Sequence, residues 1–100
     1  MFDLRTALLK KGEVESARLD AFAFRQRART MRLLAEALGR DPASLVPLVA
    51  HHDDAAILAR IGAESGAARG AHDALYRACA AQARAALIGE VGDPAPHRLA

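Results

Sequence analysis

Residues 14–38 read VESARLDAFAFRQRARTMRLLAEAL, and this stretch decides the fold. Its apolar side chains recur at alternating intervals of three and four residues, at Val14, Ala17, Ala21, Phe24, Ala28, Met31, Ala35 and Leu38. This spacing is a heptad pattern of about four repeats, which predicts a helix with left-handed supercoiled packing. A second apolar strip on the same helix is formed by Leu19, Phe22, Leu33 and Ala37. With apolar residues on two sides, the helix is expected to have neighbours on both, in a bundle or a dimer.

Helix-terminating residues set the limits of this long helix. Gly12 is expected to separate it from a short amino-terminal helix over residues 3–10. Gly39 and Pro42 are expected to end it at residue 38, because glycine adopts the left-handed backbone of a helix terminus and proline cannot continue a helix. The long helix is therefore predicted over residues 13–38.

Shorter helices and one more long helix are predicted in the rest of the chain. They cover residues 42–50, about 54–63 and 67–88, and a start of the last helix at Ala71 is the alternative to one at Ala67. Pro47 is expected to kink or fray the first of these helices, and Asp53 or Asp54 is expected to cap the second. Alanine is found on nearly every face of the last helix, so this helix can approach the long one closely as an antiparallel neighbour.

Together these elements predict an all-α fold in one domain. We expect a small helical bundle over residues 1–90, with two long helices (13–38 and 67–88) and two or three short ones. Residues 91–100 are expected to form an irregular carboxyl-terminal tail, because they include Gly92, Pro94 and Pro96.

The apolar residues of the chain are mostly small. Alanine supplies 25 of the 52 apolar residues, whereas Leu, Ile, Val and Phe together supply 23. Burying one methyl or methylene group stabilises a fold by only about 0.8 kcal/mol, so a single copy of the chain would have a thin core. Oligomerisation is one way for a small chain to bury more surface, and we therefore expect a homodimer.

Composition also excludes several classes of protein. One cysteine rules out a disulfide scaffold, and 7 glycines with 4 prolines rule out a collagen-like chain. No apolar run approaches the roughly 18–20 residues that a membrane span needs, and early charged residues argue against a signal peptide. We therefore expect a cytoplasmic protein with no membrane partner. The excess of Ala and Arg over Lys and Asn is typical of a GC-rich bacterial genome.

Four arginines form a column along one side of the long helix, at Arg18, Arg25, Arg29 and Arg32. Guanidinium groups bind carboxylates and phosphates through paired hydrogen bonds, so this stripe is a candidate contact surface for an acidic partner, another anion or a nucleic-acid backbone. The alternative is a solvated helix face that Glu15–Arg18 and Arg32–Glu36 pairs partly neutralise.

The leading hypothesis for function is a non-enzymatic protein-interaction module that binds a protein partner through the long helix. The large apolar side chains are concentrated on this helix, and the expected anchors are Phe22, Phe24, Met31 and Leu34. The expected charged rim of the contact consists of Arg25, Arg29 and Arg32.

An alternative function comes from residues 34–48, which resemble the helix-turn-helix pattern of DNA-binding regulators. A small residue at the helix crossing, a turn glycine and a later aliphatic residue are matched by Ala35, Gly39 and Leu45. Arg40 departs from the apolar residue usual after the glycine, and Pro47 falls in the expected recognition helix. The resemblance implies that Arg40 and Ser44 contact DNA, so nucleic acid is the alternative partner.

No pattern of a catalytic, metal or cofactor site stands out in the chain. His51, His52, Asp53 and Asp54 include potential metal ligands, but a helix cap accounts for one of the aspartates and a loop for the histidines. His72 and Cys79 lie two helical turns apart, about 10.5 Å, which is too far to share one ion. We therefore expect no catalytic residue, no metal and no cofactor.

Overall fold

The computed structural model describes residues 4–94, with side chains from Ala17 onward. It contains α1 (Leu4–Ala37), a short 3₁₀ helix (Val46–Ala50), α2 (Asp54–Ser65) and α3 (Asp73–Val91). No strand occurs among these residues, and the predicted all-α class is confirmed. Of the predicted tail, residues 95–100 lie outside the described part of the chain.

α1 is longer than the sequence predicts. The expected break at Gly12 is wrong, because α1 runs without interruption from Leu4 to Ala37 over 34 residues. A glycine inside a helix is less favourable than alanine by only about 1 kcal/mol, and the residues on both sides of Gly12 are mostly strong helix formers. One glycine in such surroundings therefore does not end the helix.

The carboxyl terminus of α1 lies within one residue of its predicted position and forms a Schellman motif. Gly39 has a left-handed backbone with a φ of 72°. The Arg40 amide donates to the Ala35 carbonyl at 2.8 Å, and the Gly39 amide donates to the Glu36 carbonyl at 3.0 Å. These bonds satisfy carbonyl groups that the end of a helix leaves without partners.

The predicted α-helix at residues 42–50 is wrong. The chain turns around Asp41, whose carboxylate accepts a hydrogen bond from the Ala43 amide at 2.9 Å and whose carbonyl accepts one from the Ser44 amide at 2.9 Å. Such local bonds compete with helical ones. Only Val46–Ala50 is helical, with Pro47 in its first turn, where the missing N–H removes no helical hydrogen bond.

α2 and α3 end near their predicted limits. Asp53 caps α2, since its carboxylate accepts a hydrogen bond from the Ala56 amide at 2.7 Å, and Gly66 ends it with a φ of 66°. The predicted start of the last helix at residue 67 is early, because the chain turns through Gly70 before α3 begins at Asp73. α3 then continues to Val91 rather than residue 88.

The hydrophobic core lies between the carboxyl-terminal half of α1 and the elements that follow it. Its buried members are Met31, Leu34, Ala35, Leu45, Val49, Ile57, Ile61 and Cys79. Cys79, near the start of α3, shares this core with Met31, whereas Pro94 beyond the end of α3 contacts Arg18. α3 therefore lies antiparallel to α1, as predicted.

The buried side of α1 does not follow the predicted heptad spacing. Met31 and Ala35 are buried, but Ala17 and Ala21 are exposed, and Phe24 is 51% exposed. The buried and half-buried residues instead include a row spaced by four, at Phe22, Gln26, Thr30, Leu34 and Leu38. Such a row drifts around the helix and is typical of helices that cross at an angle rather than supercoil.

The amino-terminal part of α1 projects beyond α3. Arg18 donates a hydrogen bond to the carbonyl of Pro94 at 3.1 Å, and Pro94 is the last residue that the structure describes. α1 begins at Leu4, so residues 4–17, which we call the overhang, extend roughly 21 Å past this contact. The molecule is elongated as a result, with dimensions of 63 × 26 × 23 Å.

Candidate functional site

A groove runs along α1 beside the carboxyl-terminal end of α3. It consists of two cavities of about 220 Å³ each, and Arg25 lines both of them. One cavity lies between Arg18 and Val91, and the other lies between Phe24 and Leu87. We call this surface the α1 groove. All the residues of the predicted contact surface line it, namely Phe22, Phe24, Arg25, Arg29 and Arg32.

The two phenylalanines of the groove have different surroundings. Phe22 is 8% exposed, and the Arg84 guanidinium of α3 lies 5.8 Å from the centre of its ring, where the ring face attracts a cation. Phe24 is 51% exposed, as is Val91 at the end of α3. Phe24 therefore offers apolar surface to another molecule, whereas Phe22 is used within the chain.

Two other residues predicted as apolar anchors are also used within the chain. Met31 and Leu34 are fully buried in the hydrophobic core, and neither side chain reaches solvent. They stabilise the contact of α1 with the following elements instead of presenting a surface.

Arg29 is paired within the chain. Its Nη1 lies 2.8 Å from Oε1 of Glu90, and its Nη2 donates to Oε2 of Glu90 at 2.9 Å, so the guanidinium and carboxylate are joined by two bonds. The hydrogen bond from Arg29 holds the pKa of Glu90 below its ordinary value, and the charge of Arg25 acts in the same direction. The Arg29 charge is thus neutralised at the groove wall.

Arg25 and Arg32 keep their charges available. Within residues 17–94, neither forms a hydrogen bond or an ion pair, and both side chains are exposed. The predicted Arg32–Glu36 pair does not form, and Glu15 of the other predicted pair lies outside the described side chains. Arg18 donates to the Pro94 carbonyl instead.

The residues of the DNA-binding alternative are occupied by contacts within the chain. Arg40 forms an ion pair with Glu64 of α2, and the hydrogen bond from Arg40 lowers the pKa of that carboxyl. The Ser44 hydroxyl donates to the Asp41 carbonyl at 2.7 Å. Because Ser44 lies in a turn and no α-helix follows Gly39 before Asp54, residues 34–48 do not form the helix pair that the resemblance implies.

A polar junction that the sequence analysis missed ties α1, α2 and α3 together. Nε of Arg27 donates to Oδ1 of Asp54 at 2.9 Å, and Nη2 of Arg27 donates to the His52 carbonyl at 3.0 Å. The Tyr76 hydroxyl donates to Oδ2 of the same carboxylate. We call Arg27, Asp54 and Tyr76 the Asp54 junction.

The Asp54 junction contributes to a raised pKa of Tyr76. Burial, then the hydrogen bond to Asp54, raises the pKa of Tyr76 to about 12. A useful signal for this junction was the pair Asp53–Asp54, because only one of two adjacent acids can cap the helix. With Asp53 as the cap, Asp54 is left in the first turn to accept other donors.

The remaining candidate residues form no reactive site. Cys79 is buried in the core, and burial raises the pKa of its thiol. The described residues contain no group of three or more His, Cys, Asp or Glu placed to hold a metal ion. A cavity of about 520 Å³ is walled mostly by alanine and glycine of α2 and the loop before α3, and two of its lining residues, Arg69 and Asp73, are exposed.

Comparison with protein-family models, curated proteins and solved structures gives no match. Over the described part of the chain, no helix combines the length and apolarity needed to cross a membrane.

Proposed function

We propose that the protein is a non-enzymatic helical interaction module that forms a homodimer through the overhang of α1. The observation that carries the proposal is the amount of surface that one chain exposes. The chain exposes 7242 Å², whereas a compact protein of its mass, 10.6 kDa, exposes about 5,500 Å². The difference is larger than the roughly 800 Å² that each partner buries in an interface of standard size.

The chain is also more extended than a compact domain of its length. The radius of gyration is 17.4 Å, compared with about 13 Å for a compact domain of 100 residues. Helices in proteins gain most of their stability from packing against a neighbour rather than from helix propensity. The continuous helix at residues 4–17 is therefore expected to gain stability from a surface that covers it.

A second copy of the chain is the partner that this shape favours. Two overhangs laid antiparallel would meet through the same surface on each chain, which is the symmetry of most homodimers. Ala17, at the inner end of the overhang, is exposed and small, so two helix axes can approach closely there. The arrangement leaves the α1 groove, which begins at Arg18, open to solvent.

The non-enzymatic part of the proposal is supported by the burial of the reactive side chains and by their contacts within the chain. The Cys79 thiol is buried and has a raised pKa, which disfavours the nucleophilic thiolate. Tyr76 keeps its proton at neutral pH, and its hydroxyl donates a hydrogen bond to Asp54, which also binds Arg27. These groups hold helices together.

Two substitutions at Gly12 test the dimer. Gly12→Pro is expected to convert the dimer to a monomer, because proline inside a helix removes a hydrogen bond and clashes with the preceding turn, at about 3 kcal/mol or more. Light scattering at micromolar concentration should report twice 10.6 kDa for the parent chain and 10.6 kDa for this variant.

Gly12→Ala is the matched control, since alanine favours the helix and should leave the dimer intact. The near-ultraviolet signal of Tyr76, which lies far from the overhang, shows whether the core of each variant is folded. A parent chain with the mass of a single copy, or a folded Gly12→Pro variant that stays dimeric, would overturn the proposal.

A further inference from the structure

The α1 groove is a second surface, distinct from the overhang. Its two cavities adjoin at Arg25 and follow α1 from Arg18 to Arg32. Fourteen residues of helix rise roughly 21 Å, so the groove can lie alongside a partner helix of about four turns. Helices that dock in this way place an apolar side into the groove and leave polar residues at its edges.

The floor of the groove suits an apolar helix side. Phe24 and Val91 are both 51% exposed and belong to different cavities, so large apolar surface is offered in each half. Ala28, in the same cavity as Phe24, presents only a methyl group, which allows a partner backbone to come close. An exposed apolar surface rimmed by charge is typical of an interaction site.

The charge of the groove selects an acidic partner. Arg25 and Arg32 are seven residues apart, two helical turns or about 10.5 Å, and lie on neighbouring positions of one helix side. Within the described residues neither is bonded to an acid, whereas the Arg29 charge is neutralised by Glu90. Two available cations at this distance match two carboxylates seven residues apart on a docked helix.

A protein helix fits these observations better than a nucleic acid does. The formal net charge of the chain is only +2, and the lining of the groove includes the acidic residue Asp93 as well as arginines. Nucleic-acid surfaces are more uniformly basic and need no apolar floor. We propose that the α1 groove binds an acidic amphipathic helix of a partner protein, with Phe24 as the apolar anchor and Arg25 and Arg32 as carboxylate contacts.

Two synthetic helical peptides test this proposal on the full chain. Each is about 14 residues long with leucines on one side; one has two glutamates seven residues apart, and the other has lysines at the same positions. Fluorescence anisotropy should show binding of the glutamate peptide, weakened by salt, and none of the lysine peptide. Binding of both peptides with equal affinity, or of neither, would overturn the proposal.

Variants locate the binding surface. Replacing both Arg25 and Arg32 with glutamate should weaken binding of the glutamate peptide roughly tenfold or more, and Phe24→Ser should weaken it without removing its dependence on salt. Arg77→Glu is the matched control, because Arg77 is exposed on α3 but does not line the groove. Equal loss in the control, or tighter binding of duplex DNA than of the peptide, would exclude this role.

The groove proposal and the dimer proposal can be tested separately. Light scattering on the same samples reports the mass of each groove variant, which should remain that of the parent chain. Peptide binding by a chain that proves monomeric would leave the groove proposal standing and remove only the homodimer.

Discussion

The two parts of α1 differ in what lies beside them. From Phe22 to Leu38, α1 buries residues against the 3₁₀ helix, α2 and α3, whereas the overhang extends past the end of α3. α3 has 19 residues and rises about 28 Å, while the 34 residues of α1 rise about 51 Å. Among the described side chains of α1, residues 17–21 are exposed and burial begins at Phe22, where α3 lies beside the helix.

The largest expected effect comes from matched truncations of two leucines on α1. Leu34 is fully buried in the core, and Leu34→Ala should lower the free energy of unfolding by about 2–5 kcal/mol. Leu19 is 39% exposed next to the overhang, and Leu19→Ala should change the free energy of unfolding by less than about 0.5 kcal/mol. Urea unfolding measures both; equal losses would mean that the two halves are covered to the same extent.

The next largest effect concerns the Asp54 junction, which secures the packed half. Tyr76→Phe should destabilise the fold by roughly 1–3 kcal/mol, because Oδ2 of Asp54 loses a donor in a partly buried position. Ala80→Gly on the same helix is a control for a change in α3 that leaves the junction intact. A Tyr76→Phe variant as stable as the parent chain would show that the junction adds nothing to the packing.

The stability that Tyr76 contributes depends on pH, because its hydroxyl can lose its proton. The pKa of Tyr76 is about 12 in the folded chain, above the ordinary 10.0. Its contribution to stability is therefore fully present below pH 10 and is lost as the pH rises through 12. The difference in urea stability between the parent chain and Tyr76→Phe should shrink across this interval, and a constant difference would contradict the assignment.

The smallest expected effects are of opposite sign and come from two glycines. Gly39, which ends the packed half of α1, has a φ of 72°, so Gly39→Ala should destabilise the fold by roughly 1–2 kcal/mol even though its added methyl group meets no atom. Gly62 lies inside α2 with open space around it, so Gly62→Ala should stabilise the fold by about 0.5–1 kcal/mol. Thermal unfolding of both variants distinguishes backbone strain at Gly39 from a general response to alanine.

Local signals in the sequence predicted much of the fold. Gly39, Asp53 and Gly66 act through their own backbone or through bonds to residues nearby, and each lies at a helix end as such chemistry requires. Gly12 misled the prediction because a weak helix former was treated as a helix end. Pro47 was placed inside a helix, although the Asp41 turn delays helix formation until Val46.

The candidate site was harder to predict, because it depends on contacts between distant residues. The sequence placed Phe24, Arg25 and Arg32 on one side of a helix, and that grouping agrees with the groove. It could not show that Arg29 meets Glu90, 61 residues away, or that Phe22 lies under Arg84. The heptad spacing does not describe the buried side of α1 for the same reason, since the positions that are covered depend on contacts with distant elements.

The overhang also gives α1 the mechanics of a lever. Its fulcrum is the contact between Arg18 and Pro94, and its tip at Leu4 lies roughly 21 Å away. A rotation of α1 by 10° about this point would displace the tip by about 4 Å, although the atoms near Arg18 would hardly move. Small rearrangements at the α1–α3 contact would thus be converted into large displacements at the amino-terminal end of α1.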